Sequence, residues 1–371
     1  MRTFTDKEVF DLSKRLLLVG AGHAHIEVVR SMKEQPIDDV EVCLISPSEY
    51  FYYSGMFSGY TEGIYSLEDI RLDIRKLTQD AGVHFIRKRA SRVYPNFKKL
   101  FCQGGAVYPF DMISFDIGSK HLPDPFMHTV ARSIKPNEQF AERVDELRRT
   151  SHPLIVGGGA GGCELALSLQ AYKNKEQISG DVRLVSSSNI LGSRTKRISK
   201  KLKSIMQAKG IQLWEQERVE EVYDDYIVTS ANNKIRHTGV LWLGGPLADP
   251  LFETSGIKVD ERGFPLGRTT LQFADYEFMF GAGDCVTLLT DPNLDKSGVH
   301  AVKQAPILYE NLRRFTASEE LLAYEPQKVA LYLISTGMKK ALLLYGPVAA
   351  YSKRAWQLKN KIDREFMDKY K

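Results

Sequence analysis

Two stretches of the chain carry the same alternation of apolar and polar positions. Residues 16–19 form an unbroken apolar run ended by Gly20-Ala-Gly22, and Ile26, Val28 and Val29 then open a periodic stretch. Residues 154–156 run into Gly157-Gly-Gly159-Ala-Gly-Gly162 and a second periodic stretch. An apolar run stopped by glycine predicts a strand covered on both faces, and the 3.6-residue period after it predicts a helix. A further short apolar run follows each, at 40–45 and at 181–186, which completes a βαβ unit in both places. Beyond the first unit the pattern predicts a helix over 67–82, meander strands over 84–93, 100–102 and 107–111, and a buried strand over 112–119 containing Gly118. Beyond the second it predicts a helix over 202–209, a strand over 211–214, a hairpin over 219–235 and a strand over 239–245 ending in Gly244 and Gly245. The chain thus repeats its plan after about 135 residues, the mark of an internal duplication.

Residues 120–136, with Pro123, Pro125 and Pro136, read as a linker, and 138–149 as an amphipathic helix. A strand over 276–284 ends in Gly283-Asp284, a long helix covers 299–315, strands fall within 329–345, and a basic helix starts at 351. The expected fold is α/β, with two nested Rossmann-like dinucleotide-binding domains and a small C-terminal α+β extension. The expected divisions are 1–130, 131–263, 264–325, where the chain returns to the first domain, and 326–371.

Composition narrows the function. Hydrophobic residues make up 43% and charged residues 26%, ordinary for a soluble globular protein. The net charge of +5 over 371 residues does not call for nucleic acid as a partner; an anionic cofactor or an acidic lipid surface accounts for it. Cys43, Cys102, Cys163 and Cys285 show no C-x-x-C or C-x4-C spacing, so neither a redox disulfide nor a zinc knuckle is expected, and no metal. They read as buried packing residues in a reducing cytosol. The first fifteen residues carry Asp6, Glu8 and Asp11 and no apolar core, so no secretory signal is expected. The longest apolar runs fall short of the roughly 18–20 residues that span a bilayer. The cytoplasm is the expected location.

The glycine turns carry the chemistry. Glycine lets the backbone approach a pyrophosphate, and the helix N-terminus attracts its charge. Gly157-x-Gly159-x-x-Gly162 is complete. In the first turn Gly20 and Gly22 are present, but His25 stands at the third glycine position, so it must point sideways or the helix must shift. His23 and His25 have two readings, catalytic base or polar helix-entry residue beside a phosphate, and the second is favoured. The acid that binds a ribose 2′-hydroxyl at the end of the second strand is missing twice, with Ser46 and Ser186 in its place. Glu49 is a substitute in the first unit. In the second, Ser186 to Ser188 with Arg194, Lys196 and Arg197 could receive a 2′-phosphate, which leans the choice towards NADPH over NADH.

These residues carry a family resemblance. The chain resembles the pyridine nucleotide-disulfide oxidoreductase superfamily, within it the type II NADH dehydrogenase-like flavoproteins. The stretches 19–25, Tyr53-Ser-Gly-Met56, Phe115-Asp-Ile-Gly-Ser119, 298–304 and Leu333-Ile-Ser-Thr-Gly337 are similar to the flavoprotein domain fused to some selenide, water dikinases. The resemblance implies hydride transfer from NADH or NADPH to FAD, then electron transfer to a quinone or other small acceptor. It implies that Gly20, Gly22 and Asp284 lie on FAD, with Gly118 lining the flavin side. Gly157, Gly159, Gly162 and Glu164 would lie on the nicotinamide nucleotide, and Gly244 and Gly245 near its far end. Tyr53, Ser54, Lys303 and Gln304 would stand near the isoalloxazine ring. An Ala-Gln-x-Ala-x-Gln pattern beside the quinone in that branch is replaced by Gly298-Val-His-Ala-Val-Lys303, which weakens the quinone expectation. A flavin-binding redox sensor or partner module without quinone reductase activity is therefore the rival, and a monooxygenase-like use of oxygen a second one.

The last helix has two readings. Leu358, Ile362 and Phe366 step by four among Lys353, Arg354, Lys359, Lys361 and Arg364. A basic amphipathic helix of this kind lies on an anionic bilayer, which would make the protein peripheral on the inner face of the cell membrane. The alternative is a helix packed on the protein with a solvated basic face. A homodimer stays open.

Overall fold

Leu16, Leu17 and Leu18 have no exposed surface, as a strand flanked by parallel neighbours and covered on both faces requires. They belong to the strand Lys14–Val19, which pairs in parallel with Val40–Ser46 on one side and Met112–Phe115 on the other. Met279–Gly281 and His84–Arg87 complete a five-stranded parallel sheet. The computed structural model describes residues 14–192, 194–327 and 329–371, and the strand and helix inventory refers to these.

Contacts divide the chain into two units. The first comprises residues 1–49, 73–118 and 248–326, the second 50–72, 119–247 and 327–371. These limits are drawn by packing alone and differ from the divisions at 130 and 263 read from the sequence.

In the first unit the sheet carries a core of Leu17, Val19, Ile45, Ile113 and Phe115, with Phe252 and Phe273 packed on it. A separate antiparallel meander, Ala90–Tyr94, Lys99–Cys102 and Val107–Pro109, lies in this unit. The run over 84–93 is therefore two strands in two sheets, divided at the charged Lys88 and Arg89. The helix expected over 67–82 begins only at Ile74, because the Asp73 carboxylate accepts from the Lys76 N–H and caps it there.

The second unit repeats the arrangement. Its parallel sheet runs Ala131–Ser133, Val240–Trp242, Leu154–Val156, Arg183–Ser186, Gln212–Glu215. Leu154–Val156 takes the central place of Lys14–Val19 with its neighbours arranged alike, except that the edge strand Ala131–Ser133 precedes it in the chain whereas Met279–Gly281 comes last in the first sheet. The stretch 219–236 forms a three-stranded meander where a hairpin was expected. The strand Ala131–Ser133 lies in what read as a linker. The C-terminal residues of this unit form strands Tyr332–Ser335, Ala341–Tyr345 and Val348–Ser352, then helix Lys353–Asp368, capped by Ser352 Oγ on the Ala355 N–H.

The excursion 50–72 joins this second unit through aromatic packing. Phe57 stacks on Phe140 with ring centroids 3.7 Å apart, and Phe140 is fully buried. We expect Phe140→Ala to destabilise the protein by about 3–5 kcal/mol, read as a lower urea midpoint.

Candidate functional site

At the first glycine turn the chain passes close under itself. Gly20 has φ +90°, and a Cβ there would stand 2.4 Å from the Asp116 carbonyl oxygen. This turn lies between Lys14–Val19 and Met112–Phe115, where the strand order reverses and α/β folds hold dinucleotides. Helix His23–Glu34 starts here with no side-chain cap from Gly22. The cap comes instead from Asp116, whose Oδ2 accepts from the Ala24 N–H at 2.7 Å and the His25 N–H at 3.0 Å. A Cβ on Gly22 would collide with that carboxylate at 2.3 Å.

His25 resolves the missing third glycine. Its ring is fully buried and spans from the Gly20 carbonyl oxygen at 2.6 Å to Ser114 Oγ at 2.8 Å. Burial lowers its pKa from the ordinary 6.5 to about 4, against the opposing pull of the Gly20 hydrogen bond. The neutral ring is a strut of the turn. With no exposed surface, the ring faces the packed side of the turn. His23 is half-buried at the surface of the turn, and a Cβ on Gly298 would lie 3.4 Å from its Nε2. The turn thus lies beside the start of helix Gly298–Thr316. Gln304 on that helix accepts from the Gly283 N–H at 2.7 Å, which ties it to the turn holding Asp284. Lys303 is exposed. Ser46 is buried and accepts from the Ser48 N–H. Glu49 is engaged by Arg75 and Arg87. Gly118 has φ +69°.

The second turn has a different surface. Gly157 has φ +125°, and a Cβ there would stand 2.1 Å from the Leu243 carbonyl oxygen; one on Gly162 would meet the Gly157 carbonyl at 2.0 Å. Those two glycines close the turn. Gly159 and Gly245 are exposed, and a Cβ on either would meet nothing within 4 Å. Among the described residues nothing packs against the bare backbone there, and Gly159 lies at the start of helix Ala160–Lys175, where unsatisfied amides favour an anion. Gly244 instead lies tight against the Trp242 ring. Ser186 is buried and bonds the Ser188 N–H. The Arg194 guanidinium lies over the Tyr332 ring, 4.0 Å from its centroid.

Glu164, on the helix after the second turn, accepts from Ser58 Oγ at 3.0 Å and from the Ser335 N–H at 2.8 Å. Lys359 Nζ, 3.7 Å from it, pairs with Asp363 Oδ2 at 2.9 Å and donates to the Gly55 carbonyl at 2.6 Å. The Tyr53 hydroxyl donates to Asp363 Oδ1, and its ring stacks on Phe366. Ser54 is exposed. Burial pulls the Lys359 pKa down, but the Glu164 and Asp363 carboxylates outweigh it and the net shift is upward. The last helix therefore buries Ala355, Lys359, Asp363 and Met367, one position round from the stripe read from the sequence. Leu358 and Ile362 are 38% and 39% exposed. The sequence reading gave Asp116, Ser114, Lys359 and Asp363 no role in the site. The signal for Asp116 was an acid lodged between Phe115 and Ile117 at the end of a buried strand.

All four cysteines are buried and free. Burial raises their thiols, Cys102 to about 11 and Cys43 and Cys285 to about 12, which removes the thiolate that disulfide exchange needs.

Two parallel sheets of matching order, each with a glycine turn at its switch point, define a two-dinucleotide oxidoreductase fold. The family profile described as pyridine nucleotide-disulphide oxidoreductase matches residues 14–306, and the chain belongs to that family. It is an FAD-dependent NAD(P)H oxidoreductase of the NADH dehydrogenase-like kind. A type II NADH:quinone oxidoreductase of Staphylococcus saprophyticus is 21% identical over 315 residues, covering 73% of this chain and 74% of that protein. Mouse ferroptosis suppressor protein 1 is 24% identical over 263 residues, 65% of each chain. Among solved structures, the sulfide:quinone oxidoreductase of Aquifex aeolicus superposes with TM-score 0.80 at 18% identity, covering 96% of this chain and 91% of that one. NDH2 of Plasmodium falciparum, in complex with NADH, gives 0.79 at 14% identity, covering 96% and 97%.

Two outcomes test the site's construction. The His25 ring holds its proton less tightly folded than unfolded, so the stability it contributes is complete above about pH 6.5 and is lost as pH falls towards 4, by about 3 kcal/mol. Urea unfolding from pH 7 to 4 will show that slope, and His25→Asn will flatten it. Lys359→Met, which strands the buried Asp363 carboxylate, is expected to cost about 3–5 kcal/mol, and Lys359→Met with Asp363→Leu to recover most of it.

Proposed function

We propose that this protein takes hydride from NAD(P)H bound at the 157–162 turn of the second unit, on to FAD bound at the 20–25 turn of the first, and delivers electrons to a quinone or similar small acceptor. The observation that carries the reading is the open space at Gly159 and Gly245, bare backbone that no packing requires. Bound FAD supplies the two-electron relay between nucleotide and acceptor. The chain's own part is to bind and orient. The amides at the start of helix Ala160–Lys175 are assigned to the nucleotide diphosphate, and Ser186 to Ser188 with Arg194, Lys196 and Arg197 to the ribose end, an assignment from the sequence that leans towards NADPH. Tyr53, Ser54, Lys303, Gln304 and Asp284 are assigned to the flavin, as the family resemblance implies.

The quinone reading draws on the named activities of the staphylococcal and Aquifex proteins. It is supported by exposed apolar side chains in the C-terminal residues: Met338 at 66%, Tyr345 at 55% and Val348 at 53%, besides Leu358 and Ile362. Among these stand Lys339, Lys340, Arg354 and Lys361, a composition suited to an anionic bilayer where a lipid-soluble acceptor resides. No helix among the described residues is long and apolar enough to cross a membrane. The rival reading, a flavin-binding module without quinone reductase activity, is favoured by the absence of strand-end acids at Ser46 and Ser186.

Anaerobic mixing of the flavin-loaded protein with NADH or NADPH is expected to bleach the yellow flavin absorbance, faster with NADPH, and a short-chain quinone to restore it. Bleaching without quinone reoxidation selects the binding module; no bleaching by either nucleotide refutes the reductase. Gly159 has φ −70° and ψ 177°, so any residue can adopt its backbone. Gly159→Leu should keep the urea midpoint and the flavin spectrum while raising the KM for NAD(P)H about tenfold or more, by filling the diphosphate site.

A further inference from the structure

In a dinucleotide-binding unit the charge at the tip of the second strand separates the two nicotinamide nucleotides: a carboxylate takes the ribose 2′-hydroxyl, a basic group a 2′-phosphate. Here that tip is Ser186, and it lies against the second glycine turn, where a Cβ on Gly158 would stand 2.4 Å from Ser186 Oγ. Ser186 is buried and carries no charge. The segment after it is fixed at both ends. The Leu191 N–H donates to the Gly158 carbonyl at 2.8 Å, and the Glu217 N–H to the Ser186 carbonyl at 2.9 Å. Opposite Ser186, on the neighbouring strand Gln212–Glu215, stands Glu215. Its Oε1 accepts from the Ile190 N–H at 2.8 Å, and its Oε2 accepts from Lys203 Nζ. An ion pair thus stands one strand away from the place where the sequence lacks an acid.

The two members of the pair are presented unequally. The Glu215 side chain is 12% exposed with both oxygens engaged, while that of Lys203 is 41% exposed. An ammonium has three N–H donors, and among the described residues Lys203 spends one, on Glu215. A ligand arriving at the strand tip therefore meets the cation, and the carboxylate beneath holds that cation in place. The neighbouring basic groups are committed elsewhere or lie further off. The Arg194 guanidinium covers the Tyr332 ring, and Lys201 Nζ donates to the Ala349 carbonyl at 2.9 Å. Lys196 and Arg197 are exposed in the first turn of helix Lys196–Ala208, two turns before Lys203. We propose that Lys203, positioned by Glu215, takes the 2′-phosphate and makes this protein select NADPH over NADH. The inference rests on the assignment of NAD(P)H to the 157–162 turn. It moves the selectivity from the basic residues that the sequence singles out to one that the pairing of strands Arg183–Ser186 and Gln212–Glu215 brings to the site.

The test is calorimetric titration of the flavin-loaded protein with NADP+ and with NAD+, which carry no hydride and so bind without turnover, at fixed ionic strength. The wild type should bind NADP+ more tightly. Lys203→Met should weaken NADP+ about tenfold or more and leave NAD+ within about twofold, with little change in melting temperature. Lys203→Arg should keep the preference, and Lys203→Glu should reverse it. Should Lys203→Met fail to fold, Lys203→Gln is read in its place. A variant that weakens both nucleotides alike, or neither, overturns the proposal, as does a wild type that prefers NAD+. Loss of NADP+ binding in Lys196→Met or Arg197→Met, with Lys203→Met unaffected, returns the role to the first turn of the helix and also overturns it. If neither nucleotide binds any form while flavin stays bound, the assignment of NAD(P)H to the 157–162 turn fails, and this inference with it.

Discussion

Everything in the fold rests on a backbone touching a backbone. Gly20 meets the Asp116 carbonyl and Gly157 meets the Leu243 carbonyl at distances no side chain tolerates, and both glycines hold φ in the left-handed range. Each contact sets a turn where a parallel sheet changes direction, and so fixes where the next helix begins. Larger residues at either position would push strand and helix apart, and the amides that make the turn useful would lose their aim.

Much of this was legible in advance. Continuous apolar runs ending in glycine located the central strands of both sheets, and the repeat exposed the duplication, because buried parallel strands leave an unmistakable trace. Finer features were not. The strand Ala131–Ser133 is too short to leave a pattern. The helix at 74 depended on one capping aspartate, and the run at 84–93 was read as one strand because both halves are β-like. The last helix shows the limit best. Its hydrophobic stripe named one face, yet the chain buries the neighbouring face, because Lys359 and Asp363 find Tyr53, Gly55 and Glu164, partners some 200 to 300 residues away in sequence. Periodicity reports local amphipathicity and carries no record of such distant partners.

The candidate site divides in the same way. The glycine positions could be read, but which glycines face a ligand and which face the chain could not. Gly22 and Gly159 occupy the same place in the motif; one is filled by an internal carboxylate and the other is open. The histidine in the third glycine position was conspicuous in the sequence, and only its hydrogen bonds to Gly20 and Ser114 show that it substitutes for missing backbone contact with a buried neutral ring. A motif states where the backbone must bend, and the surrounding residues decide what it can receive.

The two units are interleaved along the chain, and this bears on synthesis. The first needs Met279–Gly281 to finish its sheet, and the second needs helix Lys353–Asp368 to cover Glu164. As the chain leaves the ribosome, neither core can close early, and each waits for segments more than 150 residues downstream of its first strand. Such non-local closure makes folding slow and leaves apolar edges exposed meanwhile. Loss of the final helix would therefore be felt as a failure to mature in the second unit, well before any question of what the finished protein can reduce.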